Sequence, residues 1–408
     1  MTGSSPHRPS SPRPPLPAPV GRLLEPLYAL ELARRNRRYD RGIGVTRLPI
    51  PVISVGNLSV GGTGKTPMVT HLARELLAAG HHPAIAMRGY VRGRGSHGHG
   101  QASDEARQYR RVLEDVPVVA QPDRAAGIAA LLASDAGRGV DCILLDDGFQ
   151  HRRLARDFDI VLIDAARSPF EDRLLPAGWL REPVSSLGRA DAVVITHAEL
   201  ATPEQIGALQ DRIAQVPCHR DRLCDLGALR PVTRHVWTGL RVAEPRRAND
   251  QPAAALECRH PAGPRTPADR NWANQIRAVD YLTDKRAVAV CAIGSPDGFI
   301  AQAAAACREL TDRIVLPDHD RYAPKTVARI VVAAKHADII LTTEKDWSKL
   351  SRRRPGPARG RGGADRAWPV PIARPILTLT FDGGREDLTS QVLDTVRATN
   401  AALPSGRS

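Results

Sequence analysis

The stretch Val52-Ile53-Ser54-Val55-Gly56-Asn57-Leu58-Ser59-Val60-Gly61-Gly62-Thr63-Gly64-Lys65-Thr66-Pro67 decides the fold. Residues 52–55 read as a short buried strand and the glycines after them as a turn. Val69, Leu72, Ala73 and Leu76 then recur on one face of a helix that stops at Gly80. Strand, glycine-rich turn and helix in that order are the context a phosphate loop requires. Backbone N–H groups of Gly61, Gly62, Thr63 and Gly64 would surround phosphate oxygens, and the helix N-terminus adds positive potential. Lys65 reaches the β- and γ-phosphates of ATP in such a loop, and the Thr66 hydroxyl ligates Mg²⁺. Ser59 stands where the generic pattern has its first glycine.

Lys65 carries weight because the chain has 58 Lys and Arg residues and almost all are arginine. It is the only lysine in the first 284 residues. A compact ammonium fits inside a phosphate loop where a planar guanidinium does not. The arginine bias itself resembles GC-rich coding. The net charge of +14 is therefore weak support for a nucleic-acid partner, and none is expected.

Strand-like runs recur at 84–87, 116–120, 142–145, 160–163 and 192–196, with helical stretches at 104–114 and 124–134. Apolar strands alternating with helices predict a parallel sheet covered on both faces, a P-loop NTPase-like α/β domain. A second rhythm follows: strand 287–293, helix 297–309, strand 314–316, helix 324–335, strand 338–342, strand 376–381 and helix 386–397. The expected organisation is a disordered tail at 1–20, a kinase-like domain at 21–242, a connecting segment at 243–285 and a smaller α/β domain at 286–400. The chain has 408 residues with 42% hydrophobic content, which excludes a wholly disordered protein. No apolar run is long enough to predict a transmembrane helix, and no secretory leader is apparent. Six scattered cysteines without C-x-x-C spacing read as reduced thiols. Cys218, His219 and Cys224, like His97 and His99, read as loop residues rather than metal ligands.

Asp146 and Asp147 end an apolar strand, the place where ligands sit in an open α/β sheet. They can hold Mg²⁺ with Thr66, or form a turn before Gly148. Asp104 and Glu105 open a predicted helix, where acidic residues ordinarily complement the helix dipole. His319, between Asp318 and Asp320, follows a strand of the second block. A helix at 23–38 sets Leu23, Leu27 and Leu30 on one stripe and ends in arginines. That pattern suits an anionic membrane surface, or a helix packed on its own domain.

Several motifs then occur together: Arg88-Gly89-Tyr90, Ser103-Asp104-Glu105, Pro122-Asp123-Arg124, DDGFQH at 146–151, LPAGWLREP at 175–183, Ile293-Gly294, Asp318-His319 and TEKD at 343–346. In this order, with the loop at 56–67, the chain resembles the tetraacyldisaccharide 4'-kinase family of Gram-negative bacteria from about residue 21 to about residue 398. The resemblance implies transfer of the ATP γ-phosphate to the 4'-hydroxyl of a lipid A disaccharide-1-phosphate precursor, at the cytoplasmic face of the inner membrane. It implies that Asp104 and His319 form the catalytic pair, which replaces the capping reading of Asp104. It implies roles near Mg²⁺ for Glu105 and Asp147 and phosphate contacts for Arg88 and Arg124. No obligate protein partner is expected. The competing reading is a membrane-recruited switch ATPase. Its deviant loop carries a second lysine before the paired glycines, where this chain has Val60.

Overall fold

The computed structural model describes residues 15–89, 104–217, 230–245, 272–294, 296–318, 320–353 and 368–402. The chain divides into two compact units, residues 1–235 with 379–408, and residues 236–378.

The first unit opens with helix α1 (Ala18–Asp40) and continues through strand β1 (Val52–Asn57), helix α2 (Lys65–Ala78) and strand β2 (Pro83–Met87). Helix α3 (Asp104–Val112), strand β3 (Val118–Ala120), helix α4 (Arg124–Leu132), strand β4 (Cys142–Asp146) and strand β5 (Phe158–Asp164) follow. Strand β6 (Ala192–Thr196), helix α5 (Pro203–Ala214) and the first residues of strand β7 (Val232–Pro245) complete that run. The strand order is β3-β2-β4-β1-β5-β6-β7, and every pairing is parallel. Both faces are covered, as the apolar strands predict. Ile53 and Val55 of β1 pack with Leu72 and Leu76 of α2. Val52 points the other way and packs with Ile128 of α4 and Ile143 and Leu145 of β4.

The second unit holds the rest of β7, strand β8 (Trp272–Arg277), strand β9 (Arg286–Cys291), helix α6 (Pro296–Ala306) and strand β10 (Glu309–Val315). Helix α7 (Pro324–Ala334), strand β11 (Ile339–Thr342), helix α8 (Glu344–Leu350) and most of strand β12 (Ile372–Gly383) follow. Its strand order is β10-β9-β11-β12-β7, with β8 antiparallel to β7. Val288 and Val290 of β9 pack with Ile330 of α7, while Ala287 and Ala289 pack with Phe299 of α6.

The structure departs from the expected boundaries in four places. Helix α1 begins at Ala18, inside the stretch expected as tail, with Pro19 in its first turn where no intrahelical N–H is needed. Strand β7 was not expected, because charged and polar residues interrupt its apolar ones. Strand β8 lies in the segment expected as a connection, and its backbone pairs with β7 from Leu240 to Pro245. The expected block 286–400 is also divided. Helix α9 (Arg385–Ala402) belongs to the first unit, because Leu388, Val392 and Val396 enter the core that holds Leu72 and Leu76. Each such buried side chain contributes about 1.5–3 kcal/mol, enough to decide which core the helix joins. Residues 1–14 of the expected tail, residues 246–271 of the expected connecting segment, and residues 354–367 lie outside the described residues.

Candidate active site

The phosphate loop begins where β1 ends. Gly56 admits no side chain, since a Cβ there would lie 2.5 Å from the Phe149 Cβ of the DDGFQH segment. Gly64 caps α2 with a left-handed φ of 79°, a conformation glycine adopts without strain. Lys65 and Thr66 therefore form the first turn of α2, where backbone N–H groups and the helix dipole favour an anion. The loop is tied on both sides. The Arg181 N–H donates to the Leu58 carbonyl at 2.7 Å, and the Val60 N–H to the Trp179 carbonyl at 2.8 Å. The Thr196 hydroxyl at the end of β6 donates to the Thr63 carbonyl at 3.1 Å.

β4 runs parallel to β1 with Asp146 in register with Val55, so both acidic residues arrive beside the loop. Their environments differ. Asp146 is buried and its Oδ2 accepts the Tyr109 hydroxyl of α3 at 3.0 Å. Asp147 has a left-handed φ of 52° and a carboxylate held by cations. Arg181 grips it with two N–H groups at 2.8 and 2.9 Å, and Lys65 Nζ lies 3.5 Å away. Arg124 donates to its backbone carbonyl at 3.1 Å. Burial alone would raise the Asp147 pKa; the Lys65 charge and the Arg181 hydrogen bonds outweigh it and hold the carboxyl well below its usual range. Asn57 completes the cluster. Its Oδ1 accepts from Lys65 at 3.2 Å and from Arg181 as well.

The structure thus brings Lys65 and Asp147 together beside the phosphate-loop turn, with the Asp147 carboxylate on two cations rather than in the metal-holding role expected of it. Asp104 and Glu105 begin α3, the helix that carries Tyr109. Their side chains, and His319, lie outside what is described, as do Cys218, His219, Cys224, His97 and His99. In the second unit, Lys345 of the TEKD motif bonds Asp318 at 2.8 Å, next to His319 in sequence. Asp346 accepts the Ala292 N–H at 2.9 Å and the Thr343 hydroxyl at 2.7 Å, which ties α8 to the end of β9.

Sequence reasoning assigned no role to Arg181 or Asn57, although both stand inside quoted motifs. It also missed a pair of histidines. The His197 and His235 rings stack with centroids 4.3 Å apart, and His197 Nδ1 lies 3.2 Å from Asp164. A Cβ on Gly64 would fall 2.8 Å from the His235 ring. No sequence signal marks this pair, since 38 positions separate its members.

His151, the last residue of DDGFQH, makes a testable contribution to stability. Burial, reinforced by Arg124, Arg156 and Arg153, lowers its pKa from 6.5 to about 4. The unfolded chain takes up a proton near pH 6.5 while the folded one resists until about pH 4. Its contribution is therefore fully present above pH 6.5 and is lost as pH falls through that window. Melting temperature against pH should slope less steeply between those limits for His151→Gln than for the wild type. An unchanged slope would remove His151 from the acid response.

The chain is similar to known proteins over most of its length. The sequence profile described as Tetraacyldisaccharide-1-P 4'-kinase matches residues 18–378. The chain is 33% identical over 382 residues to the tetraacyldisaccharide 4'-kinase of Anaeromyxobacter dehalogenans, covering 88% of this chain and 89% of the relative. It is 35% identical over 340 residues to that of Syntrophus aciditrophicus, covering 79% and 82%. A crystal structure of LpxK from Aquifex aeolicus in complex with ATP is similar with a TM-score of 0.59 at 26% identity, covering 91% of this chain and 97% of the other. Phosphate loop, acidic strand end and LPAGWLREP clamp are thus found in a chain that matches one profile over most of its length, and this chain belongs to the tetraacyldisaccharide-1-P 4'-kinase family.

Proposed function

We propose that the chain transfers the γ-phosphate of ATP to the 4'-hydroxyl of a lipid A disaccharide-1-phosphate precursor while bound to the cytoplasmic face of the inner membrane. Family membership makes it an ATP-dependent lipid A 4'-kinase of lipid A biosynthesis. The observation that carries the mechanism is the Lys65–Asp147–Arg181 cluster on the phosphate loop.

In this reading Gly61, Gly62, Thr63 and Gly64 present N–H groups to the β- and γ-phosphates, and Lys65 moves from Asp147 onto them. The triphosphate brings a larger local charge than one carboxylate, so Lys65 exchanges partners while Asp147 keeps Arg181. The donor set suits Mg²⁺, a hard cation that takes one or two protein oxygens and completes its shell with phosphates and water. Thr66 and the buried Asp146 carboxylate would hold it, with Glu105 alongside; Asp147 is committed to cations. Bound there, Mg²⁺ would offset charge on the β- and γ-phosphates. The 4'-oxygen attacks the γ-phosphorus, its bond to phosphorus forms as the bond to the β-phosphate oxygen breaks, and ADP leaves. Asp104 accepts the hydroxyl proton late in that step, and His319 is the second member of the catalytic pair.

Membrane binding rests on α1. Leu23, Leu27 and Leu30 are 75%, 64% and 67% exposed, so the stripe is not packed on its own domain. Arg34, Arg35, Arg37, Arg38 and Arg41 follow it. Among the described residues no helix is long and apolar enough to cross a membrane. An apolar stripe with a basic end is the pattern of an interfacial helix on anionic lipid. Replacing Leu23, Leu27 and Leu30 by serine should release the protein from phosphatidylglycerol-containing vesicles, and added salt should weaken wild-type binding. Equal sedimentation of the triple variant with vesicles would contradict this surface.

The activity itself is separated from that of a switch ATPase by the phosphate acceptor. With ATP, Mg²⁺ and lipid disaccharide monophosphate, ADP release should require the lipid and match bisphosphate formed. ADP release at the same rate without lipid would favour the switch.

A further inference from the structure

Helix α1 has a second face. Gly21, Glu25, Tyr28 and Leu32 recur at spacings of four, three and four, and they turn inward. Leu23, Leu27 and Leu30 each stand two residues on from an inner residue, about 200° around the helix. The outer stripe faces solvent while the inner one grips residues 172–182, the segment that holds all of LPAGWLREP except its final proline.

That grip is specific along the segment. At one end the Glu25 carboxylate accepts the Leu174 N–H at 3.1 Å and pairs with Arg173 at 2.7 Å. In the middle Gly21 lies so close that a Cβ would sit 2.9 Å from the Ala177 Cα. At the other end the Tyr28 hydroxyl donates to the Arg181 carbonyl at 2.9 Å. The opposite edge of the same segment supports the phosphate loop. The Arg181 N–H and the Trp179 carbonyl bond Leu58 and Val60, and Ser59 bridges Leu180. From the residue whose carbonyl Tyr28 holds, the Arg181 guanidinium reaches Asp147 and Asn57, and both of these contact Lys65.

We propose that the inner face of α1 is a working part of the nucleotide site. Tyr28 and Glu25 are positioning residues that hold segment 172–182 against the phosphate loop, and seating the outer face of α1 on a bilayer strengthens nucleotide binding through them. The proposal rests on the phosphate-loop and membrane readings above and adds a connection between them. Loops have low local stability, so a support hydrogen-bonded to the loop at 58–60 governs how well its N–H groups are pre-aimed at phosphate. Bilayer contact restricts α1, and α1 bonds both ends of that support. Linkage makes the effect reciprocal: vesicles raise nucleotide affinity by the factor by which nucleotide raises vesicle affinity.

The test compares wild type with Tyr28→Phe and with the double variant Glu25→Gln/Tyr28→Phe. Each is titrated with a fluorescent ATP analogue and Mg²⁺, with and without vesicles of phosphatidylethanolamine and phosphatidylglycerol. Vesicle sedimentation and melting temperature are measured on the same samples. Vesicles should tighten analogue binding by the wild type. The double variant should sediment with vesicles as the wild type does, yet bind the analogue about tenfold more weakly, and vesicles should no longer tighten it. Tyr28→Phe, which removes a single hydroxyl, should show the same change in smaller measure with little shift in melting temperature. Wild-type analogue affinity in a folded double variant, with vesicles still tightening it, would overturn the proposal. So would loss of vesicle binding in parallel with loss of nucleotide, because the inner face would then only hold the helix in place. Two controls separate failure of the underlying readings. Unaltered analogue binding by Lys65→Ala would remove the phosphate-loop site, and a wild type that does not sediment would remove the membrane surface. Either result also overturns the coupling.

Discussion

Lys65→Ala should lower turnover about a thousandfold and leave the protein folded. The size follows from the charge removed: the ammonium faces the phosphates whose charge redistributes in the transition state, and losing one such donor costs two to three orders of magnitude. The fold should survive because Asp147 is not orphaned. Its carboxylate keeps both Arg181 hydrogen bonds at 2.8 and 2.9 Å when the longer 3.5 Å contact to Lys65 is lost. Lys65→Arg should not rescue, since a planar guanidinium does not fit the space of an ammonium inside the loop. Turnover measured beside a thermal melt checks both halves. Near-normal turnover in a folded Lys65→Ala protein would end the nucleotide-site assignment.

Asp104→Ala and His319→Ala should each reduce kcat about a hundredfold or more with little change in the KM for ATP. The double variant should be scarcely worse than the more damaging single one. A carboxylate is a weak base toward a sugar hydroxyl, because its pKa lies far below that of the alcohol. It becomes useful when its orientation is fixed, so that it takes the proton late as the O–P bond forms. If His319 supplies that orientation, removing either residue disables the same step and the losses do not multiply. The measurement is kcat for the four proteins at saturating ATP and lipid. Losses that multiply would give Asp104 and His319 separate roles and return Asp104 to the start of α3 as a helix-dipole or metal-shell residue.

The parts legible in the sequence were those set by local pattern. The β1 strand, the glycine turn and the apolar face of α2 follow from residues close together in the chain, and so do the buried runs of β4, β5 and β6. The parts not legible depend on partners far apart. Helix α9 reads locally as the end of the second α/β rhythm. Only the fold brings Leu388 and Val392 to the core around Leu72, more than 300 positions earlier. Arg181 stood in a recognised motif without a task, because its partners Asp147 and Asn57 are 34 and 124 positions away. The two faces of α1 show the same limit. Leu23, Leu27 and Leu30 announce an apolar stripe, but the sequence does not say whether a core covers it, and their exposure in the structure answers that. Glu25 and Tyr28 look like ordinary helix residues until residues 172–182 are folded beneath them.

The most direct test of the central claim is to map the phosphate on the product. Purified protein is incubated with ATP, Mg²⁺ and tetraacyldisaccharide-1-phosphate, and the lipid is examined by phosphorus–proton correlation NMR. A second phosphorus resonance should appear, coupled to the proton on C4' of the distal glucosamine, with one ADP formed for each bisphosphate, and Lys65→Ala should yield none. Phosphate at any other position, or ADP accumulating while the lipid stays a monophosphate, would contradict the account.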